Sequence, residues 1–186
     1  MTLPLPAGKP PATDAVEPAV AVLAAAYGRQ VFHTAHRLLG NTSQAEDVQQ
    51  DVFLRLLEHP PAEVASWPAY LSAMATRISI DRLRRHSRWR RLLPIWVASV
   101  RQDEDSADVR ALQAQQAGRL RTAIGRLKPR EATCFSLRYL QGFEIPQIAT
   151  SLGMSANHVS VCLHRAQRAL EAELGDSRCF NEEPRS

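Results

Sequence analysis

The sequence is poor in cysteine, in long apolar runs and in any strand-like pattern, and each shortage narrows what the chain can be. Three cysteines among 186 residues, Cys134, Cys162 and Cys179, are odd in number and widely spaced. That is a weak disulfide framework and favours a reducing compartment. No stretch approaches the roughly 20 apolar residues that a membrane span needs, so no stable membrane insertion is expected. The leading MTLPLPAGKPPATDAVEP lacks a basic stretch followed by an apolar one and is not expected to act as a signal peptide. A cytoplasmic location follows as an expectation. No window sustains the period-two alternation of a half-buried strand. Catalytic signatures are missing too: there is no Gly-rich phosphate loop, nucleophile elbow or HExxH run, so neither an enzyme nor a cofactor is expected. His158 and Cys162 stand one helical turn apart, but no second ligand pair accompanies them, and no metal is expected.

What is present is helix-forming and basic. Apolar residues make up 45% of the chain, enough to bury cores, and the net charge of +4 favours acidic partners, of which nucleic acid is the commonest. Five prolines within residues 1–18 suggest a flexible tail. Helical periodicity runs from Ala19 to Arg91, broken at Gly40-Asn41, with Thr42 and Ser43 as candidate caps, and at His59-Pro60-Pro61. The acidic RQDEDSAD lacks apolar periodicity and reads as part of a linker over 92–116. Helical pattern resumes near Ala111. The expectation is an all-α protein in two small helical domains, 19–91 and 117–174, joined by a flexible linker and ending in a tail over 175–186.

In the first domain, Gln44–Leu57 is amphipathic. Ala45, Val48, Val52 and Leu56 share one face, expected inside; Asp47, Gln50, Asp51, Leu54 and Glu58 share another. An apolar anchor ringed by carboxylates suits a basic protein partner. Ser66 can cap a following helix from Trp67 to about Arg91. Trp67, Leu71, Met74 and Ile78 form its apolar stripe. Seven arginines against one aspartate fall between Arg77 and Arg91, with Arg77, Arg84 and Arg88 on one line. They predict an outward arginine ridge for phosphates, and aromatics beside it, Trp67 and Tyr70 upstream, can stack unpaired bases.

In the second domain, EIPQIATSLGMSANHVSVCLHRAQRAL has the spacing of a helix-turn-helix. Ile145, Ile148, Ala149 and Leu152 make a short helix, Gly153 permits the turn, and Ser155 caps the next helix. Val159, Leu163, Ala166 and Leu170 repeat on its inward side. Asn157, Ser160, Val161, His164, Arg165 and Arg168 are left outward, where they can reach base edges and phosphates. Leu127–Leu140, ending at Gly142, supplies a supporting helix.

These three features in this order resemble the extracytoplasmic-function sigma factors, the group IV branch of the sigma-70 family of bacterial RNA polymerase. QAEDVQQDVFLRLL and AYLSAMATRISIDRLRR are similar to the family's region 2, and LKPREATCFSLRYLQGFEIPQIATSLGMSANHVSVCLHRAQRAL to its region 4. The resemblance implies a subunit that binds core RNA polymerase and directs initiation at promoter DNA, with an anti-sigma factor as a further partner. It implies polymerase docking at Asp47, Gln50 and Asp51, beside Leu54. It implies contact of the −10 element by Arg77, Arg84, Arg85 and Arg88, near Trp67 and Tyr70. The −35 element would meet the outward residues from Asn157 to Arg168. A stand-alone helix-turn-helix regulator would share the second domain but has no need of the Asp47/Gln50/Asp51 face.

Overall fold

In a computed structural model, the described backbone covers residues 13–92 and 108–175, and the described side chains 19–87 and 112–175. Among the described residues seven α-helices follow one another: α1 (Thr13–Leu39), α2 (Thr42–Glu58), α3 (Trp67–Leu92), α4 (Asp108–Arg126), α5 (Pro129–Phe135), α6 (Ile145–Leu152) and α7 (Ala156–Leu174). A π-helical turn, Ser136–Leu140, prolongs α5. No strand occurs among the described residues.

Local chemistry explains most of the boundaries. Gly40, at φ 66°, ends α1 in the left-handed region that a side chain disfavours. Asn41, rather than Thr42 or Ser43, caps α2: its side-chain oxygen accepts from the Gln44 amide at 2.9 Å. The Asn41 carboxamide reaches that amide, so the two hydroxyl residues enter the first turn. Two expected boundaries move. Helix α1 begins at Thr13, inside the segment read as a tail, with Pro18 in its second turn. Helix α4 begins at Asp108, inside the segment read as a linker. Its Ala, Gln, Arg and Leu residues are strong helix formers, and the helix starts three residues ahead of Ala111, where the helical pattern of the sequence resumes. Residues 93–107 and the tail after Gly175 lie outside the described residues.

Helices α1, α2 and α3 enclose one core, in which Val31, Ala35, Val48, Val52, Leu56, Leu71, Ala75 and Ile78 are buried. The expected inward stripe of α2 is confirmed residue by residue. The second module packs α4–α7, but its cores do not stop at the module. Leu38 of α1 and Ile80 of α3 are buried with Ile124, Phe135, Ala166 and Leu170. Ala73 of α3 joins Cys134, Leu137, Ile148, Val159 and Leu163. The two expected domains are therefore packed on each other along α3. This helix carries apolar residues on both sides, so it is buried from both.

Candidate nucleic-acid and protein-docking surfaces

The helix-turn-helix forms as its residues dictate. At α6 the Glu144 side chain takes the Gln147 amide, and Gln147 Oε1 accepts from the Glu144 amide at 2.9 Å. Gly153, at φ 63°, makes the turn. Ser155 Oγ then accepts from the His158 amide at 3.2 Å and starts α7. Val159, Leu163, Ala166 and Leu170 are buried, and Asn157, Ser160, Val161, His164, Arg165 and Arg168 are all exposed on the opposite side. The six residues expected to meet DNA thus share one open face. Cys162 is an inward residue: it lies against Cys134, whose thiol is pushed up to about 12 by burial and by that neighbouring thiol. His158 is exposed while Cys162 is buried, and no group of three or more potential metal ligands occurs among the described residues. Spacing alone did not show two supports of the motif. Arg138 pairs with Glu144 at 2.7 Å, and Gln167 donates to the Tyr139 hydroxyl at 2.6 Å.

On α2, Asp47, Gln50 and Leu54 are exposed and Asp51 is partly covered. Leu54 keeps 54% of its surface in solvent and borders a shallow groove with Glu46, Gln49, Gln50, Phe53 and Leu57. The carboxylates are already engaged. Arg82 of α3 reaches Asp47 at 3.2 Å and Asp51 at 2.8 Å. Arg82 was not singled out from sequence, because a pairing across 31 and 35 residues has no local signal. The face is thus apolar and polar around Leu54, with an acidic flank whose two carboxylates share one arginine.

The arginine ridge expected along α3 is not a single outward ridge. Arg82 turns to α2. Arg84 turns to the second module and donates to the Leu127 carbonyl at 2.9 Å. Arg85 is exposed and reaches back to its own helix at the Asp81 carbonyl. Arg77 is exposed at a cleft of about 490 Å³ that it shares with Asp81, Arg130, Thr133, Ser155 and His158. The Arg88 side chain lies outside the described residues. The physical reason is the second packing partner of α3: a helix with neighbours on two sides has only a narrow strip left for solvent. Trp67 and Tyr70 are half-buried on the first core, edge to face at 6.1 Å.

This is a helical protein of two modules, the second a helix-turn-helix, and comparison with known families agrees with that division. The family description Sigma-70 region 2 matches residues 23–89, and Sigma-70, region 4 matches residues 117–170. The ECF RNA polymerase sigma factor SigL of Mycobacterium tuberculosis is 30% identical over 154 residues, covering 80% of this chain and 86% of SigL. The probable ECF RNA polymerase sigma factor SigI of the same organism is 30% identical over 142 residues, covering 73% of this chain but only 49% of SigI. BldN of Streptomyces coelicolor, another ECF sigma factor, is 28% identical, with coverage of 88% and 66%. The fold is similar to that of CnrH, solved in complex with the cytosolic domain of CnrY, at TM-score 0.55 and 18% identity, covering 88% of this chain and 92% of CnrH. The chain belongs to the extracytoplasmic-function sigma factors of the sigma-70 family. It spans about half the length of SigI. No described helix is long and apolar enough to cross a membrane.

Proposed function

We propose that the chain is a promoter-specificity subunit: it binds core RNA polymerase in the cytoplasm and directs initiation at particular promoters, without a catalytic step of its own. The observation that carries this reading is the pairing on one chain of an open recognition face on α7 with a separate protein-docking face around Leu54. Gln50 and Leu54 would seat on polymerase. Asp47 and Asp51 would contribute partly by holding Arg82, and with it the angle between α2 and α3. Arg165 and Arg168, with Asn157, Ser160, Val161 and His164, would read the −35 element and its phosphates. Arg77, Arg84, Arg85 and Arg88 would meet −10 DNA, with Trp67 and Tyr70 available to unpaired bases. An anti-sigma factor is the proposed protein antagonist; CnrH, whose fold is similar, was solved with a protein bound. A stand-alone regulator would leave the Leu54 face without a use.

Run-off transcription with core polymerase on a genomic fragment library is the direct test. Discrete transcripts that require the chain are expected. Specific DNA binding without any retention by core polymerase would favour the stand-alone regulator.

A further inference from the structure

Two large apolar side chains of the helix-turn-helix module stand in solvent, Tyr139 and Val161. Tyr139 has local uses: its hydroxyl accepts from Gln167 at 2.6 Å, and its ring tilts against Phe135 at 4.9 Å. Val161 has no such use. It is 37% exposed and belongs to none of the three buried clusters. Valine is also a weaker helix former than alanine, leucine or arginine, so α7 does not need it there. Its place is central on the open face. Asn157 lies one turn before it, and His164 and Arg165 lie one turn after, all exposed on the same side. The neighbouring Ser160 turns its hydroxyl back on the Ala156 carbonyl, at 3.1 Å. The middle of the recognition face is therefore carbon, with hydrogen-bonding groups at either end.

A valine neither donates nor accepts a hydrogen bond, which limits what it can face in a major groove. Guanine shows two acceptors there, cytosine an amino donor and adenine one of each; thymine adds a methyl group to its acceptor. Pressed on a polar edge, Val161 would strip water from that edge and return nothing. Pressed on the thymine methyl, it removes apolar surface of both partners from water. The β-branch holds a helical valine in one strongly preferred rotamer, so its two methyl groups are already placed and little side-chain freedom is lost on contact. We propose that Val161 reads a thymine at one position of the −35 element through the C5-methyl group, and that this contact, not a hydrogen bond, sets the base preferred there. The inference rests on the −35 role of α7 proposed above and adds to it the identity of one base and the means of reading it. The bases on either side fall to Asn157, His164 and Arg165, which read by hydrogen bonds.

The experiment uses the full chain with core polymerase, on a promoter recovered by run-off transcription. Each thymine of the −35 element, on either strand, is replaced in turn by deoxyuridine, which lacks only the methyl group. At a subsaturating concentration of the chain, initiation should fall about fourfold at one position, the value of one buried methyl-sized group, and little elsewhere. Val161→Ala should respond equally to thymine and deoxyuridine at that position and keep the responses of the unaltered chain at all others. A cytosine placed there should be a poor base for the unaltered chain, and 5-methylcytosine should recover about fourfold; Val161→Ala should gain nothing from the added methyl. The deoxyuridine and 5-methylcytosine series on the unaltered chain stand whether or not the variant folds. A −35 element without thymine on either strand would overturn the proposal. So would an unaltered chain indifferent to deoxyuridine at every position, or a methyl effect that Val161→Ala retains in full. Absence of transcripts with core polymerase would instead tell against the proposed function. The same series, read by gel shift on duplexes that the chain selects by itself, would then decide the methyl contact separately.

Discussion

Helices α3 and α7 are both long and both carry arginines, yet they present them differently. Every residue assigned to the outward face of α7 is exposed. On α3 the arginines scatter: one pairs with α2, one bonds the second module, and others remain in solvent. The difference is the number of neighbours. Helix α7 buries one stripe and leaves the rest to water. Helix α3 lies between two sets of helices, so polar side chains on its flanks are drawn into partners that its own periodicity does not announce. A charge run is read safely as a surface only when one apolar stripe accounts for all the packing.

The largest expected effect tests whether the two modules behave as one body. Phe135 is fully buried in the cluster that includes Leu38 and Ile80 of the first module. Phe135→Ala should cost about 3–5 kcal/mol of stability. In thermal unfolding it should lower a single shared transition; two transitions, with that of α1–α3 unmoved, would break the comparison by making the modules independent.

Next comes the exposed anchor of α2. Leu54→Asp should cost roughly 2–4 kcal/mol of polymerase affinity, as a central interface residue does. It should change folding stability by no more than about 0.5 kcal/mol, because the side chain is largely in solvent. Pull-down of core polymerase at unchanged circular dichroism separates the two effects. Undiminished retention would remove the docking assignment.

Arg165→Ala sharpens the assignment of α7. If the guanidinium reads a base, the loss should be about 1–3 kcal/mol and confined to one position of the −35 element; a phosphate contact would weaken all sequences alike. Promoter variants ranked in the same order by the mutant and the unaltered chain would place Arg165 on the backbone. Ser155→Ala, which removes the cap of the same helix, should cost about 1 kcal/mol of stability, visible as a shift in denaturant midpoint.

The smallest effect concerns the engaged carboxylates. Asp51→Asn loosens one of the two Arg82 contacts at a partly exposed site and should cost no more than about 1 kcal/mol in stability. If polymerase binding falls far more than stability does, Asp51 meets polymerase directly. If both change little, its part is to hold Arg82.

Sequence by itself determined the helices and their local chemistry. The i, i+4, i+8 spacing of Val48, Val52 and Leu56 and the i, i+4, i+7 spacing of Val159, Leu163 and Ala166 named the inward faces, and Gly153 and Ser155 named the turn and its cap. Those features depend on residues within one or two turns of each other, so their physics is written in the spacing. The starts of α1 and α4 were less legible, because a proline-rich stretch precedes and enters the first and an acidic stretch precedes the second. Only the tertiary structure decided that Arg82 binds α2, that Arg84 binds the Leu127 carbonyl, and that Leu38, Ala73 and Ile80 complete cores of the second module. These contacts join residues tens of positions apart. Their partners are selected by how helix surfaces fit once the chain has collapsed, and no period in the sequence encodes that fit.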